Sequence, residues 1–361
     1  MNLEELTIAF VGFPTPNGMA RQLSDDLAKR GHKVYFADAL KYAMNYCTRR
    51  LKDKKDDYIP LQEFLMGKPL TLNELDAEFP GVEFDVIFIE QANLVFLNDY
   101  RNEDTLVIYY HRDLPGTFNC IIPDLLLFRF EESKLFLRVY HRYEWYKTRH
   151  KTRFLNGVYP PLYKSDAKKK FKDLVWIGPY KPLEEYIDAD VIQHDYYINN
   201  KLIKDWARDN DLITVFENAP KIPFEMYKYL IERSEGILVN PGMNSYITRK
   251  CYEAGVCRTV MVVWVQSERA KKVYEAWGLV DCFNCFLFES KEDLIRISEI
   301  IRSEEPHDID LREAIKDNAY SWAIKNHTYH VRATQLLKLI RQILDLNENQ
   351  MRMGCLKIEV A

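Results

Sequence analysis

The sequence predicts an α/β protein of two doubly wound domains facing each other across a cleft, with a long C-terminal helix crossing back onto the first. Three observations predict it. Short apolar runs of strand length alternate with amphipathic stretches of helical period, the pattern of parallel βαβ units. That alternation stops at the polar, Lys-rich stretch KSDAKKKFKD and then starts afresh. The last stretch of helical spacing, Asp310 to Leu346, comes after the final strand and is long enough to return across the first domain.

The elements are taken in order. Leu6 to Phe13 (LTIAFVGF) reads as a buried strand ended by Gly-Phe-Pro. TPNGMARQLSDDLAKRGH is a loop and then an amphipathic helix closed by Gly31, and HKVYFAD is the next strand. The unit spans about 35 residues, the size of one βαβ crossover. FDVIFIE (84–90) and TLVIYYH (105–111) continue a parallel sheet, and the charged insertion CTRRLKDKKDDYIPLQEF ahead of them reads as surface helix and loop. Leu125 to Phe154 is less regular. Exposed polar linkers favour domain boundaries, so one is expected between Tyr163 and Lys172. This gives domains 1–165 and 166–325, with the returning helix at 326–361. Strands of the second domain are LVWIG (174–178), DLITVFE (211–217), GILVNPG (236–242), TVMVVWV (259–265) and CFLFES (285–290). Helices are expected near 198–209, 223–233, 246–255, 268–277 and 291–302.

Bulk properties narrow the function classes. The chain has 361 residues, 47% hydrophobic and 29% charged, enough for two cores and too apolar for disorder. A net charge of −4 argues against a surface built wholly for nucleic acid, though not against a local basic groove. The start, MNLEELTIAFVGF, is acidic where a secretory signal is basic, and no apolar run approaches a membrane span. Seven scattered cysteines suit a reducing compartment, so a cytoplasmic location is expected. Cys282-Phe-Asn-Cys285 has no second pair beside it, and no metal site is assigned.

The segment from Val239 to Val265 holds most of the chemistry. A strand ends in a Pro-Gly turn, and a short helix is expected to start near Asn244 or Ser245 and to stop at Gly255. A helix N-terminus offers N–H groups and partial positive charge to a diphosphate. Arg249 or Lys250 adds a fixed cation, and Glu253 accepts hydrogen bonds from ribose hydroxyls. The plainer reading is a surface helix with locally paired charges. Gly178, at the end of the second domain's first strand, allows backbone to approach a phosphate, or is simply a turn glycine.

A second cluster, VIYYHRDLPGTFN, brings His111 and Asp113 to the C-terminal end of a strand, the ligand edge of an open α/β sheet. Either can serve as a base toward a hydroxyl, or Asp113 caps a turn and His111 merely ends the strand. The loop from Gly12 through Asn17 and Gly18 carries neither GxGxxG nor a P-loop. Arg138 to Arg153 interleaves cations, among them Arg149, Lys151 and Arg153, with aromatics. Such a run tracks phosphates and stacks bases, or forms a solvated helix face over buried rings.

Lys250-Cys-Tyr252-Glu253-Ala-Gly255 resembles the donor-site signature of GT-B glycosyltransferases, in which two Rossmann-like domains bind nucleotide sugar and acceptor. The similarity extends over KIPFEMYKYLIERSEGILVNPG, CFLFESKEDLIRISEII and SWAIKNHTYHVRATQLL, in the order found in spore-maturation-type glycosyltransferases and phage DNA β-glucosyltransferases. The latter also share the Ile247-Thr248 turn and a Tyr-Tyr strand end followed by Asp and Leu-Pro. The resemblance implies that Glu253 holds the ribose and that Lys250, with Arg249, holds the diphosphate. It implies Asp113 as base, with His111 a competitor because the strand-to-Asp spacing is one residue shorter. The loop with Asn17 and Gly18 would line the acceptor side. Many retaining members carry a second glutamate where this chain has Ser245, a departure that points to inversion. The implied donor is a nucleotide-diphosphate sugar, UDP-linked, with no tightly bound cofactor and no indicated divalent metal. The implied acceptor is a hydroxymethylated pyrimidine in DNA or, alternatively, a cell-surface or metabolite glycan. An epimerase of the same fold and a non-catalytic nucleotide-sugar or nucleic-acid binding module are the competing classes.

Overall fold

The apolar runs of the sequence pair side by side in the order a doubly wound protein requires. The computed structural model describes residues 5–12, 18–38, 72–90, 105–111, 124–128, 150–154, 157–178, 205–206, 213–217, 222–240, 248–265 and 267–353. The chain divides into two units, Met1–Asn156 with Tyr329–Ala361, and Gly157–Thr328.

In the first unit the strands are β1 (Thr7–Gly12), β2 (Lys33–Asp38), β3 (Val86–Glu90), β4 (Leu106–His111), β5 (Leu125–Phe128) and β6 (His150–Arg153). They form a six-stranded sheet in the order β2-β1-β3-β4-β5-β6, parallel throughout. The central strands β1, β3 and β4, buried on both faces, read as continuous apolar runs rather than as alternation. Phe10, Phe88 and Tyr110 fill the centre, the first two with ring centroids 5.1 Å apart. Each fully buried Val, Ile or Phe contributes about 1.5–3 kcal/mol. Helix α1 (Met19–Lys29) packs on the sheet, and α2 (Leu72–Glu78) precedes β3.

The second unit repeats the plan. Its strands are β7 (Phe171–Gly178), β8 (Ile213–Glu217), β9 (Ser234–Val239), β10 (Val260–Trp264) and β11 (Phe286–Phe288), in the parallel order β11-β10-β9-β7-β8. Its helices are α3 (Phe224–Arg233), α4 (Arg249–Val256), α5 (Glu268–Ala276), α6 (Lys291–Arg302) and α7 (Pro306–Asn326). Ser267 and Ser290 cap α5 and α6, accepting from the N–H groups of Ala270 and Asp293. Trp176, Leu238, Val262, Phe286 and Ile297 lie in one core between the sheet and α6.

Three sequence expectations change, and a fourth lies outside the described residues. Among its described residues, the irregular segment 125–154 contains two strands, β5 and β6. The latter, HKTR, has no apolar residue and owes its extended state to pairing with β5, so part of the basic run is a strand rather than a helix face. The expected helix 198–209 lies outside the described residues except at 205–206, which are helical. The long helix from Asp310 breaks at His327 and Thr328, because Val158 donates to the His327 carbonyl at 2.8 Å and pairs with Thr328. Beyond the break the chain forms a separate helix, α8 (Tyr329–Met353), which belongs to the first unit. It packs on α1, where Arg30 donates to the His330 carbonyl at 2.7 Å and to Thr334 Oγ1 at 2.9 Å. Finally, the division falls after Asn156 and Thr328 rather than after 165 and 325. The segment Gly157–Tyr163 folds with the second unit, held by the Val158 pairing and by the Tyr163 hydroxyl on Glu253.

Candidate donor site

In both sheets the chain passes from its first strand to one side and then crosses to the other. This reversal leaves a switch point between β1 and β3, and another between β7 and β9. Ligands of open α/β sheets bind beyond the strand C-termini at such points. At the second switch point β7 ends in Gly178, in register with Glu217 of β8. Lys250 reaches over from the first turn of α4, and its Nζ donates to the carbonyl of Ile177. Gly178 and Lys250, far apart in sequence, therefore share one strand end. Burial pushes the Lys250 ammonium down to about 8, since desolvation disfavours the charged form; the nearby Glu253 opposes that shift.

Helix α4 starts at Arg249, with Thr248 in extended conformation before it, later than the expected Asn244 or Ser245. Both of those residues lie outside the described residues. The helix also runs past Gly255 to Val256, so this glycine is not its terminator. It is a contact point instead: a Cβ there would lie 2.8 Å from Ala323 Cβ and 2.9 Å from the Ala319 carbonyl oxygen. Tyr252 packs the same helix against α7, stacking on His327 at 4.5 Å.

Glu253 is almost completely buried. Its Oε1 accepts from the Tyr163 hydroxyl at 2.8 Å and lies 3.1 Å from Arg249 Nε, while its Oε2 accepts from the Tyr227 hydroxyl at 2.5 Å. Arg249 is thus engaged with Glu253, leaving Lys250 as the cation at the strand end. Burial, the charge of Glu253 and the hydrogen bond to it hold Tyr227 well above the ordinary phenol range, so it remains a donor. Tyr163 and Tyr227 are not legible as site residues in the sequence, because only folding brings the linker and α3 onto α4.

The first switch point carries Glu90 at the end of β3, equally silent in the sequence. It is buried, and its Oε2 accepts from the Ala20 N–H at 3.0 Å. Gly18, buried at the N-terminus of α1, has no side chain to cap the helix, and Glu90 supplies the acceptor instead. Gly12 is required beside them, since a Cβ there would sit 2.6 Å from Ala20 Cβ and 3.1 Å from Glu90 Oε2. His111 ends β4 opposite Phe128 of β5. Lys151 and Arg153 lie on β6, in register with Leu126 and Phe128. Asn17, Asp113 and Arg149 lie outside the described residues.

Among the described residues no three His, Cys, Asp or Glu side chains converge as metal ligands. No described helix is long and apolar enough to cross a membrane.

No protein-family model and no curated protein sequence matches the chain. Solved structures do match along most of its length. An alpha-glucosyltransferase in complex with UDP-glucose and DNA containing an abasic site aligns with TM-score 0.52 at 12% identity, over 93% of this chain and 100% of that one. This chain has the GT-B fold. A second GT-B structure, a glycosyltransferase from Rickettsia africae ESF-5, aligns with TM-score 0.50 at 12% identity, covering 94% and 99% of the two chains. Anabaena HepE, in complex with UDP and glucose, aligns with TM-score 0.50 at 11% identity over 93% and 100%. The GT-B likeness covers more than nine-tenths of the chain, well beyond the signature on α4.

Proposed function

We propose that this chain is a glycosyltransferase that moves a sugar from a UDP-linked donor to an acceptor hydroxyl. One observation carries the reading: the signature cation Lys250 lies on the Ile177 carbonyl, beside Gly178, at the switch point of the second sheet. A nucleotide diphosphate at that strand end would meet the ammonium and the glycine backbone together. Support for the donor class comes from the GT-B structures solved with UDP or UDP-glucose.

In the proposed reaction the acceptor oxygen attacks the anomeric carbon as the bond to the diphosphate breaks. The hydroxyl proton passes to a base, for which Asp113 is the candidate and His111 the competitor. Lys250 stabilises negative charge growing on the leaving diphosphate, an interaction stronger in the transition state than in the ground state. Inversion is the proposed stereochemistry, on the Ser245 departure from the retaining pattern.

For the acceptor we propose a hydroxymethylated pyrimidine in DNA. The basic strand β6 and the DNA in the alpha-glucosyltransferase complex support it. The test is incubation with UDP-glucose and hydroxymethylated or unmodified DNA, followed by nucleoside analysis. A glucosylated base with inverted linkage supports the proposal, and a retained linkage removes the inverting mechanism. Release of UDP without DNA product points to a glycan or metabolite acceptor. Binding without any UDP release points to a non-catalytic module.

A further inference from the structure

The hydrogen bonds around Glu253 limit how it can meet a ribose. A carboxylate oxygen has two acceptor positions. Oε1 accepts from the Tyr163 hydroxyl and is flanked by the Arg249 guanidinium, whose Nε lies 3.1 Å away, while Oε2 accepts from the Tyr227 hydroxyl. Oε2 is therefore the more open oxygen, and a second acceptor beside it is needed for the other hydroxyl of a ribose. The Tyr227 oxygen keeps its own acceptor capacity, because its single proton is committed to Glu253. Oε2 and the Tyr227 oxygen lie 2.5 Å apart, so the two open acceptors are neighbours, as the two hydroxyls of a vicinal diol are.

We propose that Tyr227 is a specificity-determining residue of the donor site: its phenol oxygen accepts one hydroxyl of the nucleotide ribose while Glu253 Oε2 accepts the other. The proposal rests on the reading of α4 as the nucleotide-sugar helix. Donation to the carboxylate polarises the phenol and makes its oxygen the stronger acceptor, as linked hydrogen bonds do. Tyr163 donates to the other oxygen and only positions the carboxylate.

Binding of UDP, 2′-deoxy-UDP and 3′-deoxy-UDP to the wild type, Tyr227→Phe and Tyr163→Phe separates these roles, with thermal melts confirming that each variant is folded. The wild type is expected to bind UDP more tightly than either deoxy analogue. Tyr227→Phe should lose roughly fivefold to tenfold in UDP affinity, the worth of one hydrogen bond, and stop distinguishing UDP from one analogue while still distinguishing the other. Tyr163→Phe should retain both discriminations. If Tyr227→Phe keeps both discriminations, or Tyr163→Phe loses the same one, Tyr227 is merely structural and the proposal is overturned. A wild type that binds UDP tightly but ignores both missing hydroxyls overturns the proposal through the ribose role of Glu253, while leaving Lys250 and the diphosphate site standing.

Discussion

Gly255 of α4 and Ala323 of α7 approach so closely that no side chain fits between them: an added Cβ would lie 2.8 Å from Ala323 Cβ. Two opposing effects meet at this position. Alanine favours a helix interior over glycine by about 0.8–1.0 kcal/mol. Overpacking costs about 1–3 kcal/mol, and here the second obstacle is the Ala319 backbone carbonyl, which cannot rotate away. Gly255→Ala is therefore expected to lower stability, read as a lower urea midpoint. An unchanged or higher midpoint would show that α7 yields.

Lys250 makes nucleotide binding depend on pH in a defined direction. Its folded pKa, about 8, lies below the ordinary 10.5. A diphosphate favours the ammonium, so binding raises the pKa and takes up a proton wherever the free group is neutral. Affinity for UDP is then level below about pH 8 and falls above it, by up to tenfold per unit. Folding runs in the opposite sense. The unfolded state binds more protons between pH 8 and 10.5, so this group's contribution to stability increases as pH rises through that window. Lys250→Arg keeps its charge throughout and should flatten the UDP profile. A persisting break at pH 8 in that variant would assign the titration elsewhere, and Lys169, also pushed down to about 8 by burial, would be the next candidate.

Glu253 has to be tested with a substitution that respects its partners. Alanine would leave the Tyr163 and Tyr227 hydroxyls without their acceptor, each costing about 1–3 kcal/mol. Glutamine keeps the shape and one acceptor oxygen. Glu253→Ala is thus expected to lower the melting temperature markedly. Glu253→Gln should melt nearer the wild type and lose about tenfold in UDP affinity. Full UDP affinity in a folded Glu253→Gln would confine Glu253 to holding α3, α4 and the linker together.

These tests also separate what the sequence discloses from what it conceals. The runs TIAFVG, VIFIE and VMVVW are legible as strands because a buried parallel strand is apolar on both faces. HKTR is not, since its pairing depends on a neighbour rather than on its own residues. Lys250 and Gly178 are legible as separate candidates, but their meeting at Ile177 depends on strand order. Tyr163 and Tyr227 leave no local signal at all. Gly255 is visible in the sequence but reads as a helix end, because spacing alone does not distinguish a glycine that ends a helix from one that admits a neighbouring helix.

The basic strand provides a test of the acceptor. Replacing Arg149, Lys151 and Arg153 together with Gln is expected to weaken DNA binding at low salt. It should also reduce the slope of log affinity against log salt by about 0.9 for each phosphate no longer neutralised. UDP affinity should not change. DNA binding that ignores the triple substitution would place any DNA contact elsewhere, and an absence of DNA binding would favour a glycan or small-molecule acceptor.

The base is expected to be Asp113, and it can be told apart from two other candidates, Glu90 and His111, which end strands of the first sheet. Glu90 is already committed, because its Oε2 accepts from the Ala20 N–H and caps a helix whose own cap position is Gly18. Glu90→Gln should therefore act on stability and leave turnover nearly intact. His111 is the last residue of β4, one position beyond the residue paired with Glu90. Asp113 is the first carboxylate after that strand end in sequence, and open α/β sheets present catalytic groups from such ends. Asparagine keeps the shape and capping ability of aspartate but cannot take a proton. Loss of a general base typically costs about 10²–10⁴-fold, so Asp113→Asn should lower kcat by at least about a hundredfold while UDP affinity holds. Near-normal turnover in Asp113→Asn with a large loss in His111→Ala would move the role to the imidazole.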